Sequence, residues 1–155
     1  MSSTPGARAP EPGFEARVRD SFAKQAAMAT IGATLAHVGP GEVDIHLPYR
    51  ADLSQQHGFL HAGIVATIAD SACGYAAYTL MAAGAAVMSV EFKINLMAPA
   101  AGDAFVARGR VKKAGRTLTV CNADVFALRD GGDERLVATM QGTMIALVDR
   151  PGLAG

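Results

Sequence analysis

Apolar residues recur with two different periods in the first fifty positions. From Phe14 to Phe22 they return every fourth residue among charged neighbours, which predicts a short amphipathic helix that ends near Gly32. Residues 34–38 and 42–47 flank a Gly-Pro-Gly turn, and apolar and polar residues alternate along the second run. That alternation is typical of a half-buried strand, so this segment is predicted to be a β-hairpin with one buried face.

A long apolar run begins at His61 and continues to about Ala83. It is long enough for about five helical turns and apolar nearly all round, which predicts a helix buried on most sides. Three strand-like runs occur later, at 103–113, 116–128 and 136–148. Before them lies a strand with strict alternation, in which Val90, Phe92, Ile94 and Leu96 fall on one face and Ser89, Glu91, Lys93 and Asn95 on the other.

The order helix, hairpin, long helix and four strands predicts an α+β domain in which an antiparallel β-sheet wraps around one central helix. Short connections let each strand pair with its neighbour in sequence. We place this single domain at residues 13–150 and expect residues 1–12 to form a disordered tail, because they are rich in Ser, Pro, Gly and Ala. We expect no membrane span, because Asp70 interrupts the apolar run and a carboxylate is costly inside a bilayer.

The charge of the chain argues against some classes of partner. Its 155 residues include 14 Lys and Arg against 14 Asp and Glu, so it lacks the positive field that nucleic acids and anionic membranes attract. Half of the residues are hydrophobic, and a chain this small and apolar is expected to form an obligate oligomer.

Cys73 and Cys121 lack CxxC spacing and are expected to be reduced core thiols in a cytoplasmic protein.

The candidate chemistry begins in the polar loop that runs from Gln55 to Gly63 and leads into the long helix. The free N–H groups and positive dipole end of a helix start can hold a developing negative charge, so this junction has the outline of an oxyanion site. Asp70 follows about two turns later, with no basic residue near it along the helix. Burial without a cation would make this carboxylate more basic, which suits a general base or a nucleophile. The alternative is a helix carboxylate that faces solvent or caps another element.

Other reactive side chains near this junction have less support. His57 and His61 are four residues apart, but the acidic residue of a metalloprotease helix does not accompany them, so we expect no metal site. His61 is expected either to hydrogen-bond backbone at the loop-to-helix junction or to polarise a substrate carbonyl. Cys73 has apolar neighbours and is interpreted as a core residue, and Ser71 has no local partners for a catalytic triad.

Three segments together resemble one known family. Residues 55–70, 88–99 and 113–117 resemble the PaaI-like group of hotdog-fold acyl-CoA thioesterases, and the resemblance extends over roughly residues 30–148. It implies a hotdog fold, in which the sheet wraps around the long helix and two protomers pair into a double hotdog, often within a homotetramer. It also implies active sites at the protomer interface and an acyl-CoA substrate, with no cofactor apart from the coenzyme A of the substrate.

The resemblance assigns roles to the helix and its start by position. Asp70 matches the catalytic carboxylate of the family. Ala62 stands where the family usually has the glycine whose amide polarises the thioester carbonyl, and the change keeps the donor because that donor is a backbone N–H. His61 and Gly63 match the first and last residues of the family's His-Gly-Gly pattern.

Two further positions depart from the family or carry an alternative. Gln55 stands where the family commonly has an asparagine that positions water or substrate from the partner subunit, and its side chain is one methylene longer. Ser89 matches a Ser or Thr that contacts the catalytic water or the carboxylate. Its alternative is a serine on the solvent face of a strand.

Substrate contacts are expected at two groups of residues. The cationic cluster around the turn at 114–115 is the best local match for the phosphates of coenzyme A, with an ordinary solvated hairpin end as the alternative. It consists of Lys112, Lys113 and Arg116. The aromatic candidates for the acyl pocket are Phe59, Tyr75 and Tyr78.

The leading hypothesis is therefore an acyl-CoA thioesterase that acts on aromatic or on medium- to long-chain acyl groups. A dehydratase or hydratase acting on an acyl thioester would need a His and an acid across the double bond, and His61 and Asp70 are better arranged for hydrolysis. A third hypothesis is a non-catalytic acyl-CoA-binding module. Regulators of that kind carry a DNA-binding segment, and residues 1–30 show no basic helix-turn-helix pattern.

Overall fold

The structure is a computed structural model that describes residues 8–153 and 155. Within these residues it contains the helices α1 (Phe14–Lys24), α2 (Ala26–Ile31) and α3 (Ala62–Tyr78), a short 3₁₀ turn (Ala51–Leu53), and the strands β1 (Thr34–Gly39), β2 (Glu42–Pro48), β3 (Ala86–Leu96), β4 (Ala104–Ala114), β5 (Leu118–Leu128) and β6 (Glu134–Leu147). The strands form one antiparallel sheet, and α3 packs against β2, β3, β4, β5 and β6. The predicted sheet around one central helix is confirmed.

The predicted N-terminal tail falls partly outside this range. Residues 1–7 lie outside the described residues, and residues 8–12 form no helix or strand. The Glu11 carboxylate accepts a 2.8 Å hydrogen bond from the Ala83 N–H, and the Arg17 guanidinium donates one of 2.9 Å to the Met81 carbonyl. The start of the described chain is therefore bonded to the segment that follows α3, and the limits of the tail stay a prediction.

The first two elements agree with the sequence pattern, with one interruption. The amphipathic segment is divided at Gln25, which is non-helical (φ −80°, ψ 93°) and separates α1 from α2. α2 is capped at its C-terminal end by Gly32, whose left-handed conformation (φ 81°) favours glycine. The hairpin is confirmed, since Val43, Ile45 and Leu47 of β2 are fully buried.

The order of the strands corrects the prediction at β3. The sheet order is β1-β2-β4-β5-β6-β3, so β2 pairs with β4, and β3 lies at the edge beside β6. The connection over residues 97–103 makes this possible, because an extended chain of that length reaches about 23 Å while three strand spacings measure about 14 Å. The expectation that each strand pairs with its neighbour in sequence is therefore wrong for β3 and β4.

The long helix is shorter than the apolar run that contains it. α3 ends at Tyr78 rather than near Ala83. The buried Thr79 hydroxyl donates to the Ala76 carbonyl (2.7 Å) and accepts the N–H of Gly41 (2.8 Å), which fastens the end of the helix to the β1–β2 turn. None of the helices in the described ranges is long and apolar enough to cross a membrane.

Candidate active site

Asp70 lies two turns inside α3, on the side of the helix that faces β3. Its Oδ1 accepts a 2.7 Å hydrogen bond from Ser89 Oγ, which also lies 3.4 Å from Met144 Sδ. The carboxylate is half-buried and lines two cavities, of about 380 Å³ and about 270 Å³. It is therefore less buried than its apolar sequence neighbours suggest, and its partner among the described residues is a hydroxyl group.

A β-bulge at Val90 brings Ser89 to this carboxylate. Ser89 and Glu91 pair with consecutive residues of β6, so Val90 is the extra residue between them. Successive side chains of a regular strand point to opposite faces, which would place Ser89 on the same face as Glu91. Instead, Ser89 faces the helix, and Glu91 accepts a 2.6 Å hydrogen bond from the Thr143 hydroxyl on the other face. The prediction that Ser89 shares the face of Glu91 is wrong for this reason.

His61 caps the start of α3. Its Nδ1 accepts a 2.8 Å hydrogen bond from the Gly63 N–H, which confirms the expected bond to backbone at this junction. The Gly63 amide is occupied by this bond and is not a free donor for an oxyanion. Within residues 8–153 and 155 the N–H of Ala62 has no hydrogen-bond partner, so it is the available donor at this helix start.

Gln55 holds the preceding loop together. Its Oε1 accepts the N–H of His57 at 2.5 Å and the N–H of Phe59 at 3.3 Å. Gln55 also lines a third cavity, of about 430 Å³, together with Ala62 and with apolar side chains such as Val65 and Leu96. The loop and the helix start thus share one cavity, which is separate from the two that Asp70 lines.

Ala62 and Asp70 are too far apart within one copy to act on the same carbonyl group. They are separated by eight residues of one helix, which corresponds to about 12 Å along its axis. A hydrogen-bond donor for an oxyanion and a base for the attacking water must both lie about 3 Å from their targets at one reacting centre. One copy therefore provides each group, but not the two together at one site.

The three predicted aromatic residues have different surroundings. Phe59 is 36% exposed and lines the cavity of Gln55. Tyr75 lines the larger cavity of Asp70, with its hydroxyl 3.3 Å from Ser21 Oγ. Tyr78 is only 1% exposed and lies beneath the Arg17 guanidinium, 5.2 Å from its ring centre. The acyl-pocket role predicted for Tyr78 is therefore unsupported, because α1 covers the last turn of α3 and makes this tyrosine a core residue.

The cationic cluster of Lys112, Lys113 and Arg116 is exposed at the β4–β5 hairpin end. None of the three makes a side-chain hydrogen bond or ion pair among the described residues. The turn lies in register with the candidate site. Ala114 of β4 pairs with Thr119 of β5, Thr119 pairs with Met144 of β6, and Met144 pairs with Ser89 of β3, so these four residues form one row across the sheet. Three strand spacings separate the ends of that row, or about 14 Å. The cluster is therefore at the same end of the sheet as the carboxylate.

The cysteines are core residues, as predicted. Both are fully buried and unpaired, and burial raises the pKa of the Cys73 thiol far above its ordinary value and that of Cys121 to about 12. A thiol that stays protonated at neutral pH is a poor nucleophile. His57 is exposed, and no group of three or more His, Cys, Asp or Glu in the described part of the chain is placed to hold a metal ion.

The sequence pattern did not identify Gln25 and Ser71 as candidates. Gln25 lines both cavities of Asp70, and its Oε1 accepts a 3.3 Å hydrogen bond from Ser71 Oγ. The amphipathic pattern of the N-terminal helix predicts only that it packs on the core. The periodicity gives no sign of the break at Gln25, because Ala26 continues the four-residue spacing that precedes it.

Known proteins resemble this chain over much or most of its length. The sequence model of the Thioesterase superfamily matches residues 57–133. A thioesterase family protein of Silicibacter pomeroyi is 55% identical, and its crystal structure matches 88% of this chain and 99% of its own with a TM-score of 0.86. A conserved protein of Pseudomonas aeruginosa is 29% identical, and its structure matches 79% of this chain and 94% of its own length with a TM-score of 0.72. The PaaI protein of E. coli is 18% identical and shares the fold, with 90% and 96% covered and a TM-score of 0.77.

Proposed function

Because this chain belongs to the thioesterase superfamily, has the hotdog fold and is a thioester hydrolase, we propose that it hydrolyses acyl thioesters of coenzyme A at Asp70. The observation that carries the proposal is the 2.7 Å hydrogen bond from Ser89 to Asp70, which orients a carboxylate at the wall of two cavities. A thioester carbonyl is activated and its thiol leaves without strong acid assistance. A carboxylate, a water molecule and an amide donor therefore suffice, and the proposal includes no cofactor.

Asp70 has two possible roles in this reaction. As a general base, it takes a proton from water while the water oxygen bonds to the carbonyl carbon; the C–S bond then breaks, and the proton passes to the departing thiolate. As a nucleophile, its oxygen bonds to the carbonyl carbon and expels the thiolate, and water then hydrolyses the mixed anhydride. Both routes consume one water and give the free acid and coenzyme A.

A second copy of the chain completes the proposed site. Ala62 and Asp70 cannot reach one carbonyl within a single copy, and β3 leaves one edge of the sheet unpaired. This edge is apolar and open, since Met88, Val90, Phe92 and Leu96 are between 44% and 56% exposed. Such an edge is a surface for pairing with another strand. We propose a homodimer paired along β3, in which Ala62 of one copy supplies the oxyanion donor to Asp70 of the other.

The remaining substrate contacts follow from the same arrangement. Lys112, Lys113 and Arg116 are proposed to bind the phosphates of coenzyme A, supported by their exposure and their position at the Ser89 end of the sheet. Aromatic or medium- to long-chain acyl groups are proposed as substrates. A homotetramer of two such dimers, and a cytoplasmic location in keeping with two free thiols, complete the proposal.

The experiment is a panel of aromatic and straight-chain acyl-CoAs, assayed for thiol release by the wild-type protein and by Asp70→Asn. We expect turnover of at least one substrate by the wild type and a loss of roughly 100-fold or more in kcat for the variant. Background rates across the whole panel, accompanied by measurable acyl-CoA binding, would instead favour a non-catalytic binding module. The variant should keep its melting temperature, because an asparagine oxygen can still accept the Ser89 hydrogen bond.

A further inference from the structure

We propose that Gln25 belongs to the active site and that its side-chain amide donates a hydrogen bond to the water that attacks the acyl carbon. The inference rests on the proposed thioester hydrolysis at Asp70. It assigns a role to the α1–α2 junction, which lies outside residues 57–133, the part of the chain that matches the Thioesterase superfamily. Three observations and one chemical requirement support it: the backbone at Gln25, its bond to Ser71, the cavities that it lines, and the hydrogen-bonding needs of the proposed reaction.

The backbone at Gln25 breaks a helix without a local reason. Neither glycine nor proline occurs at the break, and Gln25 is both the last cap of α1 and the first cap of α2. Its side chain makes no capping hydrogen bond to α2, although the side chain of an N-cap residue commonly does so. The interruption instead turns the side chain toward α3.

The contact that receives this side chain is a buried hydroxyl next to Asp70. Ser71 is 7% exposed, and its Oγ donates the 3.3 Å hydrogen bond to Gln25 Oε1. A serine hydroxyl inside a helix commonly bonds to a carbonyl of the preceding turn, so its use here for a side chain of another element is notable. With Oε1 held in this way, the two N–H groups of Nε2 have no protein acceptor within the described residues.

The two cavities of Asp70 share Gln25 as a wall. The larger includes the hydroxyl groups of Ser21, Tyr75 and Ser89. The smaller includes Thr67 and Phe92. Among the residues that line either one, Gln25, Asp70 and Ser71 occur in both. The carboxamide and the carboxylate therefore border the same open space from two different elements.

The reaction requires a donor in that space. The Asp70 carboxylate only accepts hydrogen bonds, and the Ser89 hydroxyl is already donated to it. A water held by Asp70 alone would be fixed through one hydrogen and free to rotate. An N–H from Gln25 to one lone pair of that water would direct the other lone pair toward the acyl carbon. In the anhydride route Asp70 is acylated and does not hold the water as a free carboxylate, and there the Gln25 N–H would orient the water toward the anhydride carbonyl.

The test compares Gln25→Met, Gln25→Glu and Ser71→Ala with a matched control, Gln141→Glu, which lies on the exposed outer face of β6. Met removes both hydrogen bonds of the amide, whereas Glu keeps the acceptor for Ser71 and removes the donor. We expect both Gln25 variants to lower kcat by about tenfold or more, with KM changed by less than about threefold. Ser71→Ala should lower kcat less, and the control should match the wild type. Melting temperature and oligomer size are measured for each variant.

The outcomes distinguish a failure of the role of Gln25 from a failure of the proposed thioester hydrolysis. If the wild type hydrolyses acyl-CoA and both Gln25 variants keep kcat within about twofold, the role of Gln25 is refuted while the thioesterase proposal stands. An increase in KM alone would also refute it, because a water-positioning group acts on kcat. If the wild type hydrolyses no substrate of the panel, both proposals fail together. Should Met at this position prevent folding, the Glu variant decides the question.

Discussion

The Ser89 hydroxyl donates a 2.7 Å hydrogen bond to one oxygen of the Asp70 carboxylate, and so joins the middle of the long helix to the edge strand of the sheet. One carboxylate oxygen is thereby fixed, and the other is left for water or substrate. The bond also links the proposed chemistry to the strand along which we propose that two copies pair.

Removal of the Ser89 hydroxyl should impair turnover without unfolding the protein. We expect Ser89→Ala to lower kcat by about tenfold, because Asp70 loses the bond that orients it, and Ser89→Thr to keep most of the activity because it restores a hydroxyl. Steady-state kinetics on one acyl-CoA, with melting curves of both variants, provide the measurement. Equal kcat values for Ala and Ser at this position would show that the hydrogen bond has no part in catalysis.

The contact between the carboxylate and Ser89 illustrates where the sequence was sufficient and where it was not. Strict alternation along β3 placed Ser89 with Glu91, and one extra residue at Val90 reversed that placement. A bulge of this kind is fixed by pairing with β6, which lies far away in sequence, so local periodicity carries no sign of it. The helix position of Asp70 was predictable because the apolar run around it is long.

The predicted strand order was wrong for a related reason. β3 and β4 are neighbours in sequence, yet the connection between them crosses the end of the sheet, and β3 becomes the exposed edge. Periodicity identifies which residues form a strand, whereas the choice of partner depends on the packing of the whole sheet. Free amides at the start of α3 were predictable, whereas the sequence did not show that the His61 side chain accepts the Gly63 N–H and so removes that amide from the available donors.

The close approach of α3 to β4 predicts a large effect on stability. A Cβ atom at Gly109 would overlap the carbonyl group of Ala72, and backbone on both sides leaves no flexible side chain to move aside. We expect Gly109→Ala to lower the free energy of unfolding by about 3 kcal/mol. Gly74→Ala is the matched control. Gly74 lies in α3, as Ala72 does, but a Cβ at Gly74 meets nothing within 4 Å. This substitution should raise stability by about 1 kcal/mol.

Chemical denaturation of the two glycine variants provides that measurement. We expect the free energy of unfolding to fall for Gly109→Ala and to rise for Gly74→Ala. A Gly109→Ala protein as stable as the wild type would contradict the packing of α3 on β4 described above.

The hairpin cations should matter only for substrates that carry phosphates. We expect the double variant Lys113→Gln, Arg116→Gln to raise KM for acyl-CoA by about tenfold, while KM for the corresponding acyl-pantetheine thioester stays unchanged. Lys93→Gln, a cation on the outer face of β3, is the control and should alter neither value. Equal effects of the double variant on both substrates would mean that the hairpin acts on something other than phosphate.

Complementation between two inactive variants tests the shared site most directly. Asp70→Asn removes the carboxylate, and Ala62→Pro removes the free N–H. Proline is tolerated at the first position of a helix, and His61 before it already has the extended backbone (φ −61°, ψ 137°) that a following proline requires. Each variant alone should therefore fold and pair but show little turnover. Co-expression of the two with different tags yields mixed dimers.

In a mixed dimer one site combines the intact Ala62 of one copy with the intact Asp70 of the other, and the second site lacks both. With random pairing, we expect the co-expressed mixture to recover about a quarter of wild-type kcat per chain, and the dimers that carry both tags to hold this activity. If mixed dimers form but remain as inactive as either parent, Ala62 and Asp70 do not act across the interface, and the central claim is contradicted.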